Sequence, residues 1–242
     1  MNILILGYGK MGKTIEQVAL KRGHNILATV DLEHREQTLA KLNPKEVDVA
    51  IEFSQPDSAP SNIRYCLKNG IAVVSGTTGW LKERRTIEDY CIEHNGTFFY
   101  ASNFSIGVNL FFKLNKLMAA MMDNYTDYQP RIEETHHTQK KDEPSGTAIT
   151  VAEGMLMQLH HKNDWYLDGD EVEQEHHQIP IKSIREGDVP GTHTVSYRSE
   201  IDDIEIKHTA HGRQGFALGA VLVAEWIKNK KGNLGMDDFL KI

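Results

Sequence analysis

The opening of this chain restricts its fold more than any other feature. Asn2 to Leu6 form a short apolar run, Gly7-Tyr8-Gly9-Lys10-Met11-Gly12 interrupt it, and Ile15, Val18 and Ala19 then recur at helical spacing. Strand, glycine turn and helix in that order make the first unit of a doubly wound parallel sheet. In such a unit Gly7 permits the tight turn, Gly9 lets a pyrophosphate reach the backbone, and Gly12 lets the helix lie close to its strand. A second strand over residues 25–30 ends at Asp31, about twenty residues beyond the turn, where a carboxylate can bond adenosine ribose hydroxyls. A structural glycine turn alone would explain the G-x-G-x-x-G spacing; the strand, helix and terminal acid together point to a dinucleotide site. Asp31 would repel a 2′-phosphate, Leu32 rather than an arginine follows it, and Arg35 is the nearest group able to pair with one. The expected cofactor is NADH or NADPH, with NADH favoured by Asp31.

The alternation continues, with strands expected over 48–53, 72–75 and 97–100 and helices over 57–69 and 81–94, so the sheet should be parallel. Ligands of such sheets bind beyond the strand C-termini. Those ends carry Glu52-Phe53-Ser54, Gly76-Thr77-Thr78-Gly79 and Ala101-Ser102-Asn103-Phe104. The glycines and hydroxyls of the second suit ribose or nicotinamide, although plain loop residues look the same. The cofactor-binding candidates are therefore Gly7 to Gly12, Asp31, Phe53, Gly76, Thr77, Thr78, Ala101, Ser102, Asn103 and Phe104.

With 40% hydrophobic and 25% charged residues, the 242-residue chain has the composition of a water-soluble globule with an ample core. No apolar run approaches the ~20 residues of a membrane span. The first residues enter the glycine turn without a basic region or cleavage site, which leads us to expect a cytoplasmic protein. Cys66 and Cys91 lack C-x-x-C spacing and read as packing residues of a reduced compartment. A formal charge of −7 argues against nucleic acid as a partner, while local pairs such as Lys140-Lys141 suit small anions.

After residue 105 the pattern changes to α+β. A long helix is expected to turn Leu110, Phe111, Leu114, Leu117, Met118 and Met121 toward the core. Strands over 130–135, 192–199 and 204–210 alternate as in a mixed or antiparallel sheet exposed on one face. Residues 164–189 are polar and should form long loops or an arm, and a last apolar helix spans 215–228. The expected fold class is α/β: a Rossmann-type parallel-sheet nucleotide domain with a second α+β domain.

Within the second half, Glu134-Thr135-His136-His137-Thr138-Gln139-Lys140-Lys141-Asp142-Glu143-Pro144-Ser145-Gly146-Thr147-Ala148 places two imidazoles, an ammonium and a helix start within fifteen residues. Ser145 can cap a helix bearing Ala148, Ala152, Met155, Leu156 and Leu159. The amides of Gly146 and Thr147 would then open on an anion site, with Lys140 adding charge. An ordinary capped helix explains Ser-Gly-Thr alone; His-His-x-x-Lys directly before it favours chemistry. The other pairs, His160-His161 and His176-His177, carry ordinary structural roles. No histidine pair has H-x-x-x-H or H-E-x-x-H spacing, so no metal is expected.

These motifs resemble the dihydrodipicolinate reductase family over the whole chain. The resemblance rests on the glycine turn, Ile51-Glu52-Phe53-Ser54, Gly76-Thr77-Thr78-Gly79, the run from Ser102 to Asn109, and above all the segment Glu134 to Ala148. One departure is the nucleotide turn, G-x-G-x-x-G where most members have G-x-x-G-x-x-G. The resemblance implies a nucleotide domain over 1–105 and 215–242 and a substrate-binding and oligomerisation domain over 106–214, assembled as a homotetramer. It implies reduction of a cyclic unsaturated dicarboxylate to tetrahydrodipicolinate. His136 would be the acid, Lys140 the second proton donor or electrostatic stabiliser, and His137, Ser145, Gly146 and Thr147 the grip on a carboxylate. His208, His211 and Arg213 are further carboxylate candidates, with surface roles equally open. Another two-domain NAD-dependent reductase would lack the His-His-x-x-Lys loop, and an NAD-sensing regulator would need a basic DNA-binding helix that is not visible.

Overall fold

The computed structural model describes residues 1–169, 176–212 and 214–241. In chain order the nucleotide half runs β1 (Asn2–Leu6), α1 (Lys10–Lys21), β2 (Asn25–Val30), α2 (Arg35–Lys41), β3 (Val49–Glu52), α3 (Ala59–Lys68), β4 (Ala72–Ser75), α4 (Arg84–Glu93) and β5 (Thr97–Tyr100). There follow α5 (Ile106–Met122), β6 (Gln129–His136), α6 (Gly146–Leu156), β7 (Asp164–Leu167), β8 (Gln178–Arg185), β9 (Thr192–Arg198) and β10 (Asp203–Thr209), then α7 (Gln214–Ile227), β11 (Gly232–Leu234) and α8 (Met236–Leu240). The chain divides into two compact units, Met1–Ile106 with Gln214–Ile242, and Gly107–Arg213.

In the first unit the described strands form one parallel sheet in the order β11-β5-β4-β3-β1-β2. Strands β1, β3, β4 and β5 are buried along nearly their whole length, as a sheet covered on both faces requires. Ile3, Ile5, Ile51 and Val74 pack on one face with Ile15, Ala19 and the α7 residues Ala220, Val221 and Ala224. Leu4, Leu6, Ala50 and Val73 pack on the other with Ile63, Cys66, Leu67, Ile87 and Cys91. Small residues let α7 come very close: a Cβ added to Gly219 would lie 1.7 Å from the Phe104 carbonyl oxygen.

In the second unit the described strands form a five-stranded mixed sheet, β10-β9-β6-β8-β7. One face buries Ile132, Ile179, Ile181, Val195 and Tyr197 against Phe111, Ala119, Val151, Ala152 and Met155 of α5 and α6. The expectation of loops across 164–189 is corrected by β7 and β8, which pair in parallel. Alternating Ile179 and Ile181 supply the buried face of β8. Pro180 is tolerated because β6 pairs with β8 only from Ile181 onward. Residues 170–175, within that segment, and Arg213 lie outside the described residues.

The expected inward stripe of α5 is also corrected. Leu110, Leu114, Leu117 and Met121 are exposed, at 41%, 54%, 59% and 67%. The helix instead buries Val108, Phe111, Asn115, Ala119 and Met122, with Met118 packed at the edge of the same core. Asn115 is accommodated there because its amide donates to the Val151 carbonyl at 3.1 Å.

Candidate active site

The glycine turn of the first unit is dictated by backbone contacts. Gly7 has φ +95°, and a Cβ on it would lie 2.1 Å from the Phe53 carbonyl oxygen. One on Gly12 would lie 2.2 Å from the Gly7 carbonyl oxygen. Gly9 differs: nothing lies within 4 Å of where its Cβ would be. It is also the N-cap of α1, with no side chain capping the helix. The first amides of α1 are thus left without a side-chain cap, an arrangement that attracts phosphate. A pocket of about 300 Å³ adjoins them, lined by Gly7, Tyr8, Gly9, Asp31, Arg35 and Phe53 among others. Lys10 is exposed and Met11 half-buried, the latter packed against the core. Asp31 is exposed and accepts the His34 amide at 3.0 Å. Arg35 is held by Asn62, its Nε donating to Oδ1 at 2.8 Å, and contacts Glu36.

The ends of β3 and β4 are joined by Glu52, a carboxylate with 0% exposure whose importance the sequence alone did not reveal. It accepts from the Ser54 amide at 3.0 Å, Ser54 Oγ at 2.5 Å, Ser75 Oγ at 2.6 Å and Thr77 Oγ1 at 2.9 Å. The Thr77 hydroxyl, expected to meet cofactor, is thereby committed to the loop. Gly76 lies against the Phe53 ring, which a Cβ would penetrate to 2.2 Å. Thr78 and Ser102 are exposed and Asn103 half-buried. Asn103 Oδ1 accepts the Ser105 amide at 2.9 Å. Ala101 and Phe104 are core residues, so only their backbone is available to a ligand. Uncapped α1 amides, a carboxylate at the end of β2 and glycines at the sheet edge together fit a dinucleotide.

In the second unit, strand alternation builds the other constellation. Along β6 the buried positions are Pro130, Ile132, Glu134 and His136; the first two serve the core, and the last two turn the same face into a polar site. Register then sets Ser183 of β8 and His193 of β9 on either side of Glu134, with His208 of β10 next to His193. Glu134, with 0% exposure, accepts at Oε1 from the Ser145 amide at 3.1 Å, Ser183 Oγ at 2.8 Å and Arg185 Nη2 at 3.0 Å. Its Oε2 lies 2.5 Å from His136 Nδ1, an ion-pair contact in which the two atoms meet away from the axis of a straight hydrogen bond. Burial disfavours the charged carboxylate, but the contact with His136 and the hydrogen bonds from Ser145, Ser183 and Arg185 outweigh it and hold Glu134 well below the usual carboxylate range.

His193 packs edge-on against His136, ring centroids 5.1 Å apart. Burial, followed by the charge of His136, pushes His193 down to about 4, so it is neutral near pH 7. Ser145 Oγ accepts the Ala148 amide and meets His193 Nε2, both at 3.2 Å. The Ser145 side chain thus caps α6. Gly146 is exposed and Thr147 half-buried at the start of α6. His137 and Lys140 form a turn closed by the Lys140 amide on the His137 carbonyl at 3.1 Å. Lys140 Nζ pairs with Asp142 at 2.7 and 2.8 Å, and this ammonium, with weaker help from the backbone, pulls the Asp142 carboxyl down. His208 is half-buried with its ring 6.1 Å from Phe111, and His211 is exposed.

Glu134, His136 and His193 offer ligand atoms all within 4.8 Å of one another. Pairwise histidine spacing could not reveal that cluster, because the strand period and the sheet register assemble it. Of the Glu134 oxygens, Oε1 accepts from Arg185, Ser183 and Ser145, and Oε2 is the one that faces the two imidazoles. His160 and His161 pair instead with Asp123, through Nδ1 at 2.6 and 3.5 Å.

The sequence patterns of two protein families match the chain: "Dihydrodipicolinate reductase, N-terminus" over residues 1–104 and "Dihydrodipicolinate reductase, C-terminus" over residues 107–240. The chain is 51% identical over 242 residues to the 4-hydroxy-tetrahydrodipicolinate reductase of Christiangramia forsetii, covering 99% of this chain and 98% of that one. It is 38% identical to the enzyme of that name from Methanoculleus marisnigri, covering 83% and 79%. Its fold is similar to that of a dipicolinate-bound dihydrodipicolinate reductase from Paenisporosarcina sp. TG-14, with a TM-score of 0.78, 22% identity and 99% of each chain covered.

Proposed function

Given that the chain belongs to the dihydrodipicolinate reductase family, we propose that it is a 4-hydroxy-tetrahydrodipicolinate reductase of diaminopimelate and lysine biosynthesis. It reduces a cyclic unsaturated dicarboxylate to tetrahydrodipicolinate with NADH or NADPH. The observation that carries this reading is that β6 ends on the buried His136 and the turn bearing Lys140 leads directly into the N-terminus of α6.

The nicotinamide supplies the hydride. Hydride addition to a conjugated imine builds negative charge on the ring, and His136 supplies the proton where that charge appears. Lys140 acts as second proton donor or stabilises the charge electrostatically. His137 and the amides of Gly146 and Thr147 hold a substrate carboxylate, with the Ser145 cap keeping those amides aligned. Gly7 to Gly12 hold the pyrophosphate and Asp31 the adenosine ribose, while Phe53, Thr78, Ser102 and Asn103 stand at the sheet edge where such cofactors extend. Asp31 supports NADH as the better donor; Arg35, on the same pocket, supports tolerance of NADPH. Residues 1–105 with 215–242 form the nucleotide domain, and 106–214 the substrate domain through which a homotetramer assembles. The cytoplasm is the site of action, a reading supported by two buried free thiols, Cys66 and Cys91. No helix of the described residues is long and apolar enough to cross a membrane.

The test couples the purified protein to a dihydrodipicolinate synthase and follows oxidation of each nucleotide. His136→Gln and Lys140→Ala should each lose turnover while still binding nucleotide. No oxidation of either nucleotide, under conditions where a known reductase works, would remove the assignment.

A further inference from the structure

The acid proposed above has a neighbour whose placement is too costly to be incidental. A carboxylate at 0% exposure requires several donors to remain charged, and Glu134 has three of them on Oε1: the Ser145 amide at the start of α6, and Ser183 Oγ and Arg185 Nη2 of β8. Arg185 is itself tied to the loop after His136, since its Nη2 also donates to the Asp142 carbonyl at 2.7 Å. The other oxygen, Oε2, is left facing His136 Nδ1 at 2.5 Å. On the opposite edge of the ring, Gly191 has φ +153°, and a Cβ there would lie 3.0 Å from His136 Nε2. Carboxylate behind one nitrogen and a bare backbone beside the other give the imidazole a defined front and back.

Building on the assignment of His136 as the acid, we propose that Glu134 is its positioning residue: it fixes a proton on Nδ1, so that His136 delivers its proton to substrate from Nε2 along the edge that Gly191 leaves open. The bond broken is Nε2–H and the bond formed is from that hydrogen to the reduced ring. The electron pair returns to Nε2, leaving a neutral imidazole with its remaining proton on Nδ1. Glu134 accepts no proton in the step. Its carboxylate holds the ring's orientation and selects the tautomer left after transfer.

The ring can be read without any turnover. In long-range proton–nitrogen spectra of the uniformly nitrogen-labelled protein, His136 Nδ1 should carry hydrogen throughout a titration while Nε2 gains and loses it. Glu134→Gln should give a mixture of tautomers and lower kcat about 10²-fold, the lower end of what a positioned acid contributes, with KM for nucleotide within about twofold. Gly191→Ala should keep the Nδ1–H signature yet lower kcat about tenfold or more, and it serves as the second arm if Glu134→Gln does not fold. A lone pair on Nδ1 in the unmodified protein would overturn the proposal, as would a Glu134→Gln enzyme with unchanged ring spectra and kcat. An unchanged kcat in Gly191→Ala would overturn delivery from Nε2. If the unmodified protein shows the expected ring signature but no reductase activity, the assignment of function fails while the ring geometry stands.

Discussion

The neutrality of His193 makes the stability of the second unit depend on pH in a calculable way. Buried at 4% exposure and beside His136, this imidazole is pushed down to about 4 in the folded protein, against roughly 6.5 when unfolded. Between those values the unfolded chain binds more protons than the folded one, so stability is full above pH 6.5 and falls as the pH drops toward 4. Integrated from pH 7.5 to pH 5, the loss from this one group is about 2 kcal/mol. His193→Gln removes the titration while placing an oxygen near the position from which Nε2 meets Ser145 Oγ. Urea-dependent hydrogen exchange of the β6 and β9 amides, corrected for the intrinsic pH dependence of exchange, reads the opening free energy of this sheet directly. The unmodified protein should lose about 2 kcal/mol more than the variant over that interval. Parallel profiles, agreeing within about 0.5 kcal/mol, would refute a neutral buried His193.

Other substitutions test other links. Gly9→Ala, where a Cβ meets nothing within 4 Å, should leave the fold unchanged yet weaken NADH binding in calorimetric titration, because the methyl projects into the space facing the α1 amides. Gly12→Ala, whose Cβ falls 2.2 Å from the Gly7 carbonyl oxygen, should in contrast cost about 1–3 kcal/mol of stability in urea melts. Glu52→Gln should destabilise by about 1–3 kcal/mol and raise KM for nucleotide more than it lowers kcat, because it loosens both sheet-edge loops. Leu117→Ala should change stability by less than about 0.5 kcal/mol whereas Phe111→Ala costs about 3–5 kcal/mol. Similar costs for the two would show that the wrong face of α5 had been taken as buried.

The parallel sheet was legible because its strands are continuous apolar runs separated by glycine turns and amphipathic helices, signals carried within a few residues. The α6 cap was legible for the same reason: Ser145 and the apolar spacing after it are local. Helix α5 misled because both of its faces are apolar. Its larger leucines form one stripe, yet the core accepts Phe111 and Ala119, and even Asn115, since Val151 supplies a partner for its amide. Strand β8 was hidden by Pro180 and by polar flanks whose neighbours lie far along the chain. Glu134 was visible as part of a motif, but its work depends on Ser183, Arg185 and His193, about fifty residues away and aligned only by strand register. A period-two reading of Ile132, Glu134 and His136 would have shown that acid and histidine share one face.

That shared face has a consequence for how the molecule can fail. A slip of β6 by a single residue would turn Glu133 and Thr135 inward and send Glu134 and His136 out to the opposite side of the sheet. Such a chain would keep most of its backbone pairing and much of its compactness, yet it would present threonine in place of the histidine proposed as the proton donor. Specific activity in this protein therefore doubles as a register gauge: misthreaded molecules would be counted as folded by circular dichroism and as absent by turnover.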